Sequence, residues 1–141
     1  MISIIPGKRV YKMKLNKHEI DNVSKLEPFK RYEYFIRKVA DFEELWTIID
    51  DNGDIALSEI EEYTLVSFWT AEDFIQSNLT GNWKGFTPVK IDLNDLDDTI
   101  IPFIEENEYL LSIFPVNGKS GFVVNLEEFI RDLNDELENY E

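Results

Sequence analysis

The stretch IIDDNGDIALSE, Ile48 to Glu59, can be read as a calcium-binding loop or as the tip of a β-hairpin. Placing Gly53 on the invariant glycine of a helix–loop–helix calcium site sets Asp50 and Asn52 at ligand positions 3 and 5. It also puts Ile55 at the apolar position 8 and Glu59 at the bidentate position 12. Position 1 then falls on Ile48, which carries no side-chain oxygen, and position 9 falls on Ala56. The preceding ELWTII is aromatic and β-branched, which suits a strand and not an entering helix. Asn52-Gly53 between apolar runs is a strong hairpin signal, because both residues accept the positive φ of a type I′ turn. In a two-residue register Ile48 faces Leu57 and Ile49 faces Ala56, with Asp51 set against Asp54. A type I turn with Gly53 in a bulge sets Asp50 against Asp54 instead. Both registers predict strands on either side of an acidic tip.

The surrounding composition fits one globular domain. The chain has 141 residues, 43% of them hydrophobic and 13% aromatic, enough to bury a core. It contains no cysteine, so disulfides, thiolate nucleophiles and sulfur ligands are excluded, and a cytoplasmic setting is expected. MISIIPGKRVYK is interrupted by Pro6 and Gly7 and lacks the apolar run of a signal peptide, and no stretch is apolar enough to span a membrane. The net charge of −15 is unevenly spread: residues 1–38 carry ten Lys or Arg against four acids, residues 39–141 four against twenty-five. An acidic body behind a basic leader repels nucleic-acid phosphate and anionic lipid, so neither nucleic acid nor membrane is expected as a partner.

Along the chain, Asn16 caps an expected helix over Lys17–Leu26, with Ile20, Val23 and Leu26 on its apolar side. Pro28 opens a second helix with Phe29, Tyr32, Phe35, Ile36 and Val39 at helical spacing, leaving Lys30, Arg31, Arg37 and Lys38 mostly outward. YTLVSFW, Tyr63 to Trp69, is a third strand, and Thr70 is expected to cap a helix in the T-x-x-D sense with Asp73. FTPVKI reads as a strand whose Pro88 argues for an edge position or a bulge. From Leu93 the pattern is helical, with Pro102 kinking the helix or opening a second one. YLLSIFPV and GFVVN make a second hairpin through NGKSG. Asn125 and Glu128 then cap a closing amphipathic helix with Leu126, Phe129, Ile130, Leu133 and Leu137 as its stripe. The order implies an α+β fold: a mostly antiparallel sheet of about five to six strands with two hairpins, covered by helices.

RYEYFIRKVADFEELW, Arg31 to Trp46, followed by NGDIAL, SFWT, NW, IFP and GFVVN, resembles the bacterial family known as domain of unknown function 2750, from about Met13 to about Phe129. Ile55 stands where relatives often have Trp, and Thr70 where a Pro often follows the Trp. The resemblance implies a single α+β domain over 13–141 with residues 1–12 as an added basic leader. It carries over no catalytic residue.

The inventory permits little chemistry. One histidine, His18, and no cysteine leave no His/Cys metal site, and the six glycines are scattered over turns with no phosphate-cradling run. Neither a metal nor a cofactor is expected. Paired carboxylates remain able to do acid–base work, and a carboxylate-dependent enzyme is the alternative reading. The leading expectation is a non-catalytic module that docks a basic protein through acidic helices. DLNDLDDTIIPFIEENE and LEEFIRDLNDELENYE carry seven acids each, against no base and one base. Asp95, Asp97, Asp98, Glu105 and Glu106 are the candidate contact residues, together with Trp83, which lies in a Gly-flanked loop where an aromatic could anchor a partner.

Overall fold

A computed structural model describes residues 15–116 and 121–139. The expected leader, residues 1–12, and residues 117–120 of the second hairpin's turn lie outside the described residues. The opening stretch is a hairpin turn, in the second of its two registers. Strand β1 (Glu44–Ile49) runs into a turn closed by the Gly53 amide donating to the Asp50 carbonyl at 3.0 Å, with Gly53 at φ +85°. Asp50 opposes Asp54 through an amide–carbonyl bond of 2.9 Å, Ile49 bridges Ile55, and the Ala56 amide reaches the Ile48 carbonyl at 3.0 Å. The pairing of Ile48 with Leu57 is thus displaced by one residue. The Asp50 carboxylate accounts for the choice: its Oδ1 accepts from the Asn52 and Asp54 amides at 2.9 and 3.0 Å, an Asx turn that stabilises the bulged form. That oxygen satisfies backbone donors where a calcium loop would present it to a cation.

The two arms part after Ala56. Strand β2 (Leu57–Ile60) pairs antiparallel with β3 (Tyr63–Phe68) through a two-residue turn in which Glu61 takes φ +56°. No Gly or Asn marks that turn in the sequence, so this hairpin was not anticipated there. Strand β1 instead pairs along its length with β4 (Thr87–Asp92), Ile48 opposite Pro88. Pro88 therefore occupies an edge strand, where its missing N–H costs nothing. Strand β3 lies parallel to β5 (Leu110–Ile113), which pairs antiparallel with β6 (Phe122–Val124). The two sheets, β4-β1 and β2-β3-β5-β6, are joined where Trp46 and Trp69 exchange backbone hydrogen bonds of 2.9 Å in both directions. The fold is α+β with six strands, mostly antiparallel.

Helix α1 (Lys17–Ser24) is capped as expected by Asn16, whose Oδ1 accepts from the Glu19 amide at 2.8 Å. It ends before Leu26, which is exposed. Helix α2 (Pro28–Phe42) opens on Pro28 and lies against the sheet. Contrary to the sequence reading, Arg31 points inward and is 2% exposed. The α-helix expected after Thr70 is absent: the chain makes three 3-10 turns, Glu72–Phe74, Gln76–Asn78 and Gly81–Trp83, the first with Ala71 at its N-cap position. The Thr70 hydroxyl is buried without a partner among the described residues, so it caps nothing. Phe74 and Ile75 both bury themselves, which tight turns laid over the sheet allow. After β4, Asp92 caps α3 (Leu93–Asp95), its Oδ1 accepting from the Asp95 amide at 2.8 Å. A π-helical turn, Leu96–Ile100, leads into α4 (Ile101–Asn107) with Pro102 in the first turn of α4. Proline lacks an N–H and would crowd the preceding turn of a regular helix; the widened turn accommodates it. Helix α5 (Leu126–Glu138) starts in the expected capping box, the Asn125 Oδ1 accepting from the Glu128 amide at 2.8 Å. Phe129 stacks on Phe68 and packs against Phe35, so α2 and α5 cover one face of the sheet.

Candidate functional site

Helix α5 alternates its apolar stripe with acids, and its neighbours leave a groove on each side. Phe129, Leu133 and Leu137 are buried, whereas Leu126 and Ile130 reach only the margin of the core. There they meet Ile104 and Tyr109 from α4 and the residues after it, forming the floor of a groove of about 510 Å³. Its rim is Glu105, Glu108 and Glu127, all exposed, and among the described residues no base lines it. Glu108 terminates α4 in the left-handed conformation, φ +55°, which carries the chain directly into Tyr109 and β5.

The opposite flank of α5 faces α2. Phe29, Tyr32 and Ile36 meet Asp132, Asp135 and Glu136 in a groove of about 350 Å³ with Glu33 and Arg37 at its edge. The Tyr32 hydroxyl donates to Asp132 Oδ2 at 2.7 Å. Burial first, then that hydrogen bond and the charges of Asp132 and Glu128, push the phenol well above its ordinary pKa. Tyr34 is held protonated the same way, by burial and by its hydrogen bond of 2.9 Å to Glu19. Among the described residues the ion pairs are Lys30–Glu33 and Arg131–Asp132, so Glu105, Glu106, Glu108 and Glu127 rest against no base.

The expected contact residues divide into separate places. Asp95, Asp97 and Asp98 are exposed along α3 and the π-helical turn, where Leu96 and Ile100 point inward. Glu105 and Glu106 are exposed on α4, and of these Glu105 lines the α4–α5 groove. Trp83 lies apart from them. It is half-buried, 5.9 Å from Trp69 at an interplanar angle of 82°, and walls a cavity on the other face of the sheet. Sequence reasoning named the acidic segments but missed Glu108, Tyr109 and Ile130 as one groove, since no linear signal joins α4 to α5.

Arg31 was missed as well. Its Nε donates to the Phe114 carbonyl at 3.0 Å, and its Nη1 donates to the Leu26 carbonyl. Phe114 follows β5 with φ +65°, a conformation that an aromatic residue adopts only under constraint. Its ring is clasped edge-on by Tyr34 at 6.0 Å and Phe74 at 4.7 Å. The next carbonyl, Pro115, accepts from Trp69 Nε1 at 2.8 Å and from Asn78 Nδ2 at 3.2 Å. The family model described as "Protein of unknown function (DUF2750)" matches residues 32–133. The chain belongs to the DUF2750 family. Most of the segments that carry the DUF2750 resemblance meet in this knot: RYEYF supplies Arg31 and Tyr34, SFWT supplies Trp69, NW supplies Trp83 against Trp69, and IFP supplies Phe114 and Pro115. In this DUF2750 chain those residues hold the fold's interior and leave the surface to other determinants. No curated protein matches the chain.

Proposed function

We propose that this chain is a non-catalytic cytoplasmic binding module that docks a basic protein through the face formed by α4 and α5. The observation that carries the reading is the groove between those helices: an apolar floor of Ile104, Tyr109, Leu126 and Ile130 inside a rim of Glu105, Glu108 and Glu127. An apolar floor supplies desolvation energy, and a rim of one sign orients and accelerates the encounter. Asp95, Asp97, Asp98 and Glu106 extend the negative field along the elements leading into that groove. A body carrying twenty-five acids against four bases over residues 39–141 attracts a cationic surface and repels anionic ones. The carboxylate-enzyme alternative needs two acids facing each other across a site shielded from water, and the described acids that gather, Glu33, Asp132, Asp135 and Glu136 beside α2 and Glu105, Glu108 and Glu127 beside α4, line open grooves.

The test isolates a partner with the native chain, then measures association rate against salt. Between 50 and 500 mM NaCl the rate constant should fall by about tenfold or more as screening shortens the field. A Glu105→Lys, Glu108→Lys, Glu127→Lys variant with an unchanged unfolding temperature should slow association at low salt. An association rate indifferent to salt and to the triple reversal would refute the acidic-face mechanism.

A further inference from the structure

The face of the sheet turned away from α2 and α5 has no role in that docking. Alternation along β3 and β5 sends Val66, Phe68, Leu111 and Ile113 toward the helices and puts Leu65, Ser67 and Ser112 on the other side. Ser67 and Ser112 are directly paired in the register, and Ser58 of β2 stands opposite Leu65. The 3-10 turns after β3 fold over this face and bring Asn78, Thr80 and Trp83 across from the serines. Between them lies a partly open cavity of about 290 Å³. A second cleft shares Ser58, Glu59, Thr80 and Trp83 with it and opens the site toward Asn82.

The cavity contains an unmet demand. Ser67 is 3% exposed, and its Oγ has no hydrogen-bond partner among the described residues. Buried hydroxyls are almost always paired, and Ser67 lies in the wall of this partly open cleft. The neighbouring groups define what that partner is. Hydroxyls of Ser58, Ser112 and Thr80 both donate and accept, so they match ligand groups that do the same. Asn78 Nδ2 is committed to the carbonyls of Phe74 at 3.0 Å and Pro115 at 3.2 Å, which leaves its Oδ1 as an acceptor. Among the described residues no Lys, Arg or His lines the cavity to compensate a phosphate or carboxylate, and Glu59 is its one charged residue. Trp83 adds a half-buried indole, braced by Trp69, as an apolar wall.

We propose that this cavity binds a neutral, hydroxyl-rich small molecule of monosaccharide size, with Ser67, Thr80 and Asn78 as hydrogen-bonding groups and Trp83 against the ligand's C–H face. A pyranose presents both surfaces at once: hydroxyls that donate and accept around its edge, and an apolar face. The volume lies at the lower end of small-molecule pockets and suits one sugar ring better than a nucleotide.

The experiment titrates the full chain with glucose, galactose and N-acetylglucosamine, and with glucosamine and glucuronate as charged counterparts, following tryptophan fluorescence and ligand saturation-transfer signals. At least one neutral sugar should saturate in the millimolar range or below, with glucuronate at least tenfold weaker. Ser67→Ala should keep or raise the unfolding temperature, because it deletes an unpaired hydroxyl, and should weaken that sugar at least tenfold. Thr80→Val should act in the same direction. Absence of saturation with all three neutral sugars would overturn the proposal, as would stronger binding of the amino or uronate analogue. Binding equal in native, Ser67→Ala and Thr80→Val chains would overturn it too, by placing the sugar elsewhere.

Discussion

Exchanging Arg31 for Met keeps most of the aliphatic stem and removes the fork that holds the chain beyond β5. Among the groups it releases, the carbonyls of Leu26 and Phe114 are not equivalent. Leu26 is exposed, so water replaces the guanidinium at its carbonyl at small cost. Phe114 is 0% exposed, so its carbonyl loses a charge-assisted partner and stays dry, which costs about 1.5–3 kcal/mol. The left-handed backbone at Phe114, a strain of about 1–3 kcal/mol, is then held by the packing of Tyr34 and Phe74, by the Phe114 amide's bond to the Phe68 carbonyl and by the bonds at Pro115. Removing a buried guanidinium, which burial already makes a weaker base, returns about 1 kcal/mol of desolvation. We expect a net loss of about 1–2 kcal/mol, or roughly 3–8 °C in Tm for a domain of this size. Arg31→Lys should lose at least as much, because an ammonium keeps the buried charge without the planar fork. Urea unfolding at pH 7, followed by tryptophan fluorescence with the m-value held as a check, measures both variants. A Met variant within about 0.5 kcal/mol of the native chain would refute the reasoning.

Two further outcomes are expected. Because burial and carboxylate partners raise the Tyr32 and Tyr34 phenols, the stability they contribute is complete below the unfolded tyrosine pKa of about 10 and is lost as pH rises past it toward the folded values. Unfolding free energies from urea titrations at pH 8 to 11 should fall at up to about 1.4 kcal/mol per pH unit for each tyrosine, and the combined Tyr32→Phe, Tyr34→Phe variant should show a flatter decline. An identical slope in the double variant would contradict this assignment. Millimolar calcium should leave Tm unchanged, since Asp50 Oδ1 is already occupied by two backbone amides. A stoichiometric micromolar calcium site in isothermal titration would contradict the hairpin account.

Local chemistry was legible wherever a residue acts on its near neighbours. Asn16 and Asn125 cap their helices with the bonds their spacing implies, Pro28 opens α2, and Pro88 lies on an edge strand. The hairpin at Gly53 could be read for the same reason, down to the two registers between which Asp50 decides. Misreadings fell where long-range packing competes with local preference. Thr70 sits at a spacing that favours a cap, yet its hydroxyl is buried and the chain takes 3-10 turns over the sheet. Arg31 occupies a polar position on a periodic helix, yet it faces a carbonyl eighty-three residues away. The acidic composition of α4 and α5 was plain, but the groove between them depends on the angle at which Glu108 returns the chain.

The sequence by itself determined the class of fold, the position of most helices and strands, the sign of the surface and the family. Each of these depends on patterning or composition within a few residues, and period and charge are properties of the chain before it folds. Tertiary structure alone decided that β1 leaves its hairpin partner to lie beside β4, that β3 and β5 run parallel, and that Trp83 walls a cavity with Ser67 and Ser112. Those outcomes depend on which buried surfaces fit together across the whole chain. Ser67 shows the difference most plainly. In the sequence it is one polar residue in a strand, and only tertiary packing leaves its hydroxyl buried and without a partner among the described residues.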